Sequence, residues 1–378
     1  MGLNIFTIRK AVAKMNEHNF YMNKAINLAK KGYGKTNPNP LVGAVIVKNG
    51  IIIGTGFHKA FGLSHAEVNA INNATEDVFD STLYVNLEPC SHFGKTPPCV
   101  NAIINAKIKE VVIAMKDPNP LVSGKGIEIL EQAGIKVTLG VLEQKAKILN
   151  EIFIKYITLK KPFVILKSAM TLDGKIATYT GNSKYITGEI ALKHTHNLRN
   201  RISAIMVGVD TLIIDNPFLN TRLKNKNGNC PIPIVVDSTG KIPLESKVIN
   251  SEKGLILATT SKINKDKEAQ LLNKGVKIIK CDSENGKVNL NTLMDELYKI
   301  NIDSVLLEGG GNLNWSALQS KIVDKVFFYY APKLIGGQTA KTSVEGIGFA
   351  SLNDAIDLKD IKFKKIGEDF LVEGYLSK

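Results

Sequence analysis

The sequence predicts two α/β domains in one chain. Helix-like and strand-like segments alternate along most of its 378 residues, which is typical of helices packed against a sheet. That length favours two domains over one. Between them, Lys160-Lys161-Pro162 marks a boundary, because proline cannot continue the preceding helix. We therefore expect an N-terminal extension over 1–18, a first domain over 19–160 and a second over 161–378.

The first domain opens with a helix and a hairpin. Apolar residues at helical spacing predict a helix over 19–31, ended by Gly32. Two β-branched runs, 41–47 and 51–57, flank Asn49-Gly50, a strong hairpin signal. Beyond it we expect strands over 82–87, 110–115 and 136–139, and helices from Ser64, over 97–106, up to 133 and over 143–159. This order predicts a three-layer domain with helices on both faces of one sheet.

The second domain shows the same alternation. A strand is predicted from Phe163, directly after the boundary. We expect helices over 189–200, 265–273, 291–300 and 314–319, and strands over 204–209, 232–236, 254–258, 276–280, 304–307, 325–330 and 370–375. The second domain is therefore also predicted to be α/β.

The composition limits the kinds of partner. The fractions of apolar residues (44%) and charged residues (22%) are those of a globular protein, and no apolar run is long enough to cross a bilayer. Four cysteines make no disulfide framework in a chain of this size, which favours a reducing, cytoplasmic compartment. The net charge of +14 comes from scattered lysines, which favours a compositional bias together with a phosphorylated small molecule over nucleic acid. No membrane partner is expected. The sequence leaves open whether the chain forms a homo-oligomer.

The first fourteen residues are basic and lack acids, but their apolar run, Leu3 to Ile8, is short and broken, which argues against a targeting segment. We expect a frayed extension, or a start codon placed upstream of a true start at Met15.

A metal site is predicted between Ser64 and Cys99. His65, Cys90 and Cys99 offer three ligands, which leaves a tetrahedral zinc one open position for water. Each is expected at a helix start, where the positive helix end favours a thiolate. Glu67 lies two residues from the histidine and would move the protons of that water.

Simpler interpretations of these residues exist. Ser64 and Glu67 have the spacing of a capping box, which needs no catalysis. The cysteines could be structural, and His92 could replace His65 as a ligand. Against these stands the whole pattern, since His65-Ala66-Glu67 and Pro89-Cys90 match the zinc nucleobase deaminase signature. The difference is that eight residues, rather than two, separate Cys90 from Cys99.

Two segments of the second domain favour a small-molecule site. Lys167 to Lys175 is a strand that ends in the turn pair Asp173-Gly174. Gly309-Gly310-Gly311 joins a strand to a helix, which allows close backbone approach and leaves free N–H groups for a phosphate. It is not the G-x-G-x-x-G fingerprint, so a standard Rossmann domain is not supported. A simple glycine-rich turn is the alternative.

Four motifs carry a resemblance to a known family. They are Asn37-Pro38-Asn39-Pro40-Leu41-Val42-Gly43, His65-Ala66-Glu67, the segment from Glu88-Pro89-Cys90 to Pro98-Cys99, and Asp117-Pro118-Asn119-Pro120. Together they resemble the bifunctional riboflavin biosynthesis deaminase/reductase, in which the long cysteine spacing is itself characteristic. The resemblance implies a cytidine-deaminase-like first domain that hydrolyses an amino group from 2,5-diamino-6-(5-phosphoribosylamino)pyrimidin-4(3H)-one. It implies a second domain like dihydrofolate reductase, which reduces the ribosyl group to ribityl with NADPH.

The resemblance also implies site residues. It places Lys95 near the substrate phosphate in the first domain, where a solvated turn is the alternative. In the second domain it implies a cofactor site lined by Ala169, Tyr185, Thr211, Asp215 and Ser238, with Gly310, Gly311, Asn312, Leu313, Asn314, Trp315 and Ser316 on the cofactor phosphates. It implies a substrate site of Ser183, Arg199, Leu219, Arg222 and Glu308. The two arginines suit a phosphate, which needs forked, permanently charged donors.

Two other functions would each explain part of the sequence. A nucleic-acid deaminase with a C-terminal binding domain would explain the positive charge, but it should show a basic, aromatic-bearing surface in the second half. A structural zinc domain without catalysis would tolerate replacement of Glu67, and loss of zinc would simply unfold it. The favoured prediction is a zinc deaminase followed by an NADPH reductase.

Overall fold

The computed structural model describes residues 5–93, 97–120, 122–184, 186–223 and 228–377, with the backbone alone for residues 5–11. The chain divides into two compact units, Met1–Leu159 and Lys160–Lys378. Both are α/β, as the alternation predicts. Within the described residues, no helix combines the length and the apolarity that crossing a membrane requires.

The first unit is built on a mixed five-stranded sheet in the order β2-β1-β3-β4-β5. The hairpin strands pair antiparallel, and β3, β4 and β5 run parallel to one another. In chain order the elements are α1 (Ile5–Ala29), β1 (Gly43–Lys48), β2 (Ile51–Phe57), α2 (Ala66–Asn72), β3 (Thr82–Val85), α3 (Cys99–Asn105), β4 (Glu110–Ile113), α4 (Lys125–Gln132), β5 (Lys136–Leu139), α5 (Glu143–Leu149) and α6 (Glu151–Leu159).

Helices cover both faces of this sheet, and glycines allow them to lie close. A Cβ on Gly43 of β1 would collide with Ala25 of α1, and a Cβ on Gly56 of β2 would collide with Ala66 of α2. Gly56 pairs with Ala44, the residue after Gly43, and paired residues share a face while successive residues alternate. Therefore α1 and α2 pack on opposite faces, as the three-layer prediction requires.

The structure corrects two predicted helices of this unit. Residues 5–18 are not a frayed extension, because α1 runs unbroken from Ile5 to Ala29, and buried His18 hydrogen-bonds the Tyr84 hydroxyl at 3.0 Å. The single helix predicted over 143–159 is two helices that meet at Asn150. The Asn150 amide accepts the N–H of Leu41 and donates to its carbonyl, so this residue ties the break to the start of β1.

The second unit has a nine-stranded sheet in the order β10-β9-β8-β7-β13-β6-β14-β16-β15, in which only β16 runs antiparallel to the other strands, and a small hairpin. In chain order the elements are β6 (Phe163–Thr171), α7 (Glu189–Arg199), β7 (Ala204–Gly208), α8 (Val209–Asp215), β8 (Ile232–Val236), β9 (Ile256–Thr259), α9 (Lys265–Asn273), β10 (Lys277–Lys280), β11 (Ser283–Glu284), β12 (Lys287–Val288), α10 (Leu290–Lys299), β13 (Ser304–Leu307), α11 (Gly311–Gln319), β14 (Lys325–Ala331), β15 (Leu358–Ile366) and β16 (Asp369–Leu376).

The parallel strands position the second candidate site. The carboxyl ends of β6, β7, β8 and β13 lie at one edge of the sheet, which is where open α/β sheets bind ligands. The sequence patterns do not predict α8 or β15. They place the start of α11 at Asn314, three residues after its start at Gly311 in the structure.

Candidate active sites

Three metal-ligating side chains converge in the first unit. The ligand atoms of His65, Cys90 and Cys99 all lie within 4.8 Å of one another. The Nδ1 atom of His65 is 3.3 Å from the Cys99 sulfur and 3.4 Å from the Cys90 sulfur. One imidazole and two thiols at this spacing are a donor set that fits zinc.

The helix starts differ in detail from the prediction. His65 is the N-cap of α2 and Cys99 is the first residue of α3, but Cys90 lies in a loop. The Cys99 N–H, at the start of α3, nevertheless donates to the Cys90 sulfur at 3.3 Å. The positive end of α3 therefore acts on the Cys90 sulfur through this hydrogen bond, although Cys90 itself does not belong to a helix.

Two of the simpler interpretations are wrong. The N-cap of α2 is His65 rather than Ser64, and no side chain caps this helix, so the capping box does not form. His92 is exposed and is not part of the three-residue cluster.

The protons of the cluster are arranged for metal binding. The hydrogen bond between the two thiols lowers the pKa of Cys90 to about 4, assisted by His65 and against the effect of burial. The same hydrogen bond raises the pKa of Cys99, and burial raises it further. One sulfur is thus a ready thiolate, and a bound cation favours deprotonation of the second.

Glu67 lies beside the cluster and is almost completely buried, with 3% exposure. Its Oε2 atom is buried and has no hydrogen-bond partner in the part of the chain that the structure describes. Burial raises the pKa of its carboxyl to about 7, and the Cys90 charge adds to this effect. A buried polar atom normally has a partner, so this oxygen is available to a group that enters the site.

A cavity of about 290 Å³ opens onto the cluster. The two motifs that precede the cysteine segment, 37–43 and 65–67, and the motif that follows it, 117–120, all contribute to the cavity wall. The lining residues that matter here are Asn39, His58, His65, Glu67, Cys90, His92, Asp117 and Asn119. The volume suits a small molecule, with the metal ligands and Glu67 on the same cavity surface.

Glu88 is a residue of this site that sequence analysis did not single out. Its buried carboxylate accepts the backbone N–H groups of Asp117, Gly124 and Gly126 at 2.9 to 3.1 Å. Glu88, two residues before Cys90, thus fixes the segment that carries Asp117 and Asn119 to the cavity. A glutamate at the end of a strand gives no local signal of this role, because its partners follow 29 to 38 positions later.

A buried ion pair marks the second site. Arg199, at the end of α7, binds Glu308, directly after β13, through two hydrogen bonds of 2.8 and 2.9 Å. Burial alone would raise the pKa of Glu308, but Arg199 and Lys167 outweigh it and hold the pKa at about 2. The structure thus brings together two of the five residues predicted to face the substrate.

Lys167 is the functional candidate that was missed in this site. It lies in β6 with its ammonium 3.7 Å from Glu308 and above the Tyr329 ring. Burial lowers its pKa. A lysine that directly follows four apolar residues in the strand Phe163–Thr171 was the available signal, since a fully buried lysine is rare unless paired.

The predicted cofactor loop is a close-packed strand-to-helix turn. A Cβ on Gly310 would lie 3.3 Å from the Thr211 hydroxyl, and one on Gly309 would press on Leu313. Gly310 is the N-cap of α11, and no side chain caps this helix. Free N–H groups at a helix start, approached by glycine backbone alone, fit a phosphate-bearing cofactor. The third glycine has a packing reason, because a Cβ on Gly311 would collide with Glu345.

Four of the predicted cofactor residues lie on, or directly after, the elements that form this sheet edge. Thr211 and Asp215 are on α8, and the Ser183 hydroxyl donates to Asp215 at 3.4 Å. Ala169 is in β6, and Ser238 follows β8 and accepts the Val288 N–H.

Leu219 and Arg222 lie in a segment without regular secondary structure, where Leu219 is buried and Arg222 is exposed. Asn312, Leu313, Asn314, Trp315 and Ser316 belong to α11. Lys95 and Tyr185 fall outside the described residues.

Two family models match the chain, one in each unit. The cytidine and deoxycytidylate deaminase zinc-binding region matches residues 15–115. The RibD C-terminal domain matches residues 162–372. The order of the two matches is the order in which the two candidate sites lie.

Full-length relatives cover both units. The riboflavin biosynthesis protein RibD of Actinobacillus pleuropneumoniae is 48% identical over 355 residues, which is 93% of this chain and 94% of that protein. The structure of Acinetobacter baumannii RibD, form 1, matches with a TM-score of 0.87 at 36% identity, covering 96% of this chain and all of that one. A diaminohydroxyphosphoribosylaminopyrimidine deaminase/5-amino-6-(5-phosphoribosylamino)uracil reductase from Thermotoga maritima matches with a TM-score of 0.83 at 40% identity and the same coverage.

Proposed function

Because this chain belongs to the RibD family of riboflavin biosynthesis proteins, we propose that its two candidate sites carry out two successive reactions on one pyrimidine. The protein is a bifunctional deaminase and reductase with a zinc-binding deaminase domain. The first reaction releases ammonia from 2,5-diamino-6-(5-phosphoribosylamino)pyrimidin-4(3H)-one. The second reduces the ribosyl chain with NADPH and gives 5-amino-6-(5-phosphoribitylamino)uracil.

In the deaminase domain, His65, Cys90 and Cys99 hold zinc, and Glu67 carries protons. Zinc supplies a Lewis acid that activates water at neutral pH. Glu67 takes a proton from the attacking water and returns it to the departing amine. Its burial and its unpartnered oxygen support this role, because a carboxyl with a pKa of about 7 can both accept and donate a proton at neutral pH.

Glu88 holds the wall that orients the pyrimidine. Its three backbone hydrogen bonds keep the 117–126 segment against the cavity. Orientation matters here, because the amine-bearing carbon must lie next to the activated water. Lys95 remains a prediction for the phosphate.

In the reductase domain, the cofactor supplies hydride and the protein supplies position and charge. Gly310 and the start of α11 receive the cofactor phosphates. Arg222 and Arg199 face the substrate, where Arg222 is the guanidinium that binds its phosphate and Arg199 is held by Glu308. Lys167 lies beside this pair and offers the cation nearest to Glu308 after Arg199.

The nucleic-acid alternative is not favoured, because the second unit offers a buried Arg199–Glu308 pair and a glycine-rich loop at a strand edge, features of a small-molecule site. The expectations that the protein acts without nucleic acid or membrane, and in a reducing cytoplasm, stay predictions. The four cysteines are free thiols.

The convergence of His65, Cys90 and Cys99 beside Glu67 carries the proposal. To test it, the purified full chain is given the diaminopyrimidine phosphate without NADPH, and then the deaminated pyrimidine with NADPH. We expect ammonia release in the first assay and NADPH oxidation without ammonia in the second. Ammonia release that requires NADPH, or the absence of either reaction, would contradict the assignment of one reaction to each domain.

A further inference from the structure

The segment that carries Arg222 has little backbone support of its own. Residues 216–223 adopt neither helix nor strand, and Asn216 and Leu219 have positive φ angles of 38° and 51°. A non-glycine residue pays for such a conformation. The position of Arg222 must therefore depend on contacts from neighbouring elements.

The last turn of α7 supplies two of these contacts. Arg199 donates from Nη1 to the carbonyl of Asn220 at 2.9 Å. His196 accepts the backbone N–H of Arg222 at its Nδ1 atom, at 3.2 Å. Residues three apart share one helix face, so α7 holds the segment from one side, on both sides of Thr221.

The surroundings of His196 keep its Nδ1 atom available as an acceptor. Burial, and next the charges of Arg199 and Arg222, lower the pKa of the imidazole to about 4. The ring is therefore neutral at physiological pH. Because Nδ1 accepts a hydrogen bond from the Arg222 N–H, the proton of the neutral ring is on Nε2.

Two further atoms of the segment point to a polar ligand. Among the residues that the structure describes, the Oδ1 atom of Asn220 and the hydroxyl of Thr221 are buried and have no hydrogen-bond partner. Buried polar atoms without partners are uncommon in folded proteins. Asn220 is itself held through its carbonyl, and Thr221 lies between the two held positions, so the segment is organised for a polar group next to Arg222.

We propose that His196 is a positioning residue of the reductase site, which acts through Arg222 by holding its backbone N–H and so aiming its guanidinium at the substrate phosphate. This rests on the proposed function, which assigns the phosphate to Arg222. His196 makes no contact with the reacting atoms in this role. It should therefore affect binding of the phosphorylated substrate more than the rate of hydride transfer.

The test compares three substitutions of His196 in the full chain. His196→Asn retains an acceptor oxygen near the Nδ1 position. His196→Phe keeps the ring without an acceptor, and His196→Gln moves its amide toward the Nε2 position. We expect His196→Phe and His196→Gln to raise the reductase KM roughly tenfold with kcat little changed, the effect of losing a hydrogen bond, and His196→Asn to remain within about threefold of the wild type. Equal KM values for all three and the wild type would overturn the proposal, as would equal losses in all three.

A double-mutant cycle with Arg222→Met identifies the route of the effect. If His196 acts through Arg222, adding His196→Phe to Arg222→Met should raise KM no further. A full additional tenfold increase would overturn the proposal. If Arg222→Met alone leaves KM unchanged, the assignment of the phosphate to Arg222 is wrong. If Arg222→Met raises KM while His196→Phe and His196→Gln do not, only the positioning role of His196 is wrong.

Two controls separate these outcomes from misfolding. Ammonia release in the first domain should stay at the wild-type rate in every variant. Fluorescence of Trp315, the single tryptophan of the chain, reports the fold of the second unit. If His196→Phe fails to fold, His196→Gln provides a second variant that lacks an acceptor at the Nδ1 position.

Discussion

Replacing Glu67 by glutamine tests the division of labour in the deaminase site. The substitution keeps the shape of a side chain that is 3% exposed and removes its ability to carry a proton. Each general acid–base step contributes about 10² to 10⁴ in rate. Glu67 serves two transfers, and bulk water has little access to a residue so deeply buried. We therefore expect ammonia release to fall by about 10⁴.

The assay measures ammonia release, zinc content and NADPH oxidation on the same preparation. Zinc should stay near one per chain, because Glu67 is not one of the three converging ligands. NADPH oxidation with the deaminated pyrimidine should equal that of the wild type. The matched variant Glu67→Asp withdraws the carboxylate by roughly one carbon–carbon bond, about 1.5 Å, and should lose about 10² in rate. Loss of zinc from Glu67→Gln, or activity within tenfold of the wild type, would refute the proton-carrier role.

Three other predictions concern the metal, the buried pair and the packing of α2. Removing zinc with a chelator should abolish ammonia release and leave NADPH oxidation with the deaminated pyrimidine intact; loss of both would show that the metal supports both activities. The pKa of Glu308 is about 2 in the folded protein against an ordinary value of 4.5. The stabilisation from its charged form is therefore present above about pH 4.5 and is lost as the pH falls toward 2. At 1.36 kcal/mol per pKa unit, this difference corresponds to a free energy of folding of about 3 kcal/mol. In urea unfolding followed by Trp315 fluorescence, Arg199→Met should lose the larger part of this free energy at pH 7, since Lys167 supplies the rest, and much less near pH 2. An equal cost at both pH values would contradict this account of the ion pair. A Cβ on Gly56 would collide with α2, so Gly56→Ala should destabilise the first unit by about 2 kcal/mol or more and reduce its zinc content. Normal zinc content in Gly56→Ala would refute this account of the packing of α2 against β2.

The metal ligands could be predicted because their signal is local and chemical. A histidine, a nearby glutamate and two cysteines after prolines restrict the chemistry before any fold is known. The structure brings His65, Cys90 and Cys99 together as expected. What failed was the local geometry of Cys90, which lies in a loop and receives the α3 N–H from Cys99. That contact joins residues nine positions apart, which helix-start signals do not reveal.

The supporting residues could not be predicted, because their partners are distant in sequence. Glu88 is an ordinary glutamate until the segment beginning at Asp117 folds over it. His196 is one of several polar residues of α7 until the backbone of Arg222 reaches it. Both roles belong to the tertiary structure rather than to a motif.

The missed elements have a different cause. Strand β15 is partly or fully exposed at every position and rich in lysine, so it lacks the apolar alternation by which strands are recognised. It is an edge strand, where such charge discourages pairing with other chains. Helix α8 follows β7 with no intervening loop, so there was no turn signal to mark its start.

The central claim is that one chain performs both reactions in a fixed order. The direct measurement follows ammonia and NADPH together after the wild-type protein is given a limiting amount of the diaminopyrimidine phosphate. We predict one ammonia released and one NADPH oxidised per substrate molecule, with ammonia appearing first and still appearing when NADPH is left out. NADPH oxidation that precedes ammonia release, or that proceeds at the wild-type rate in Glu67→Gln given the diaminopyrimidine, would contradict it.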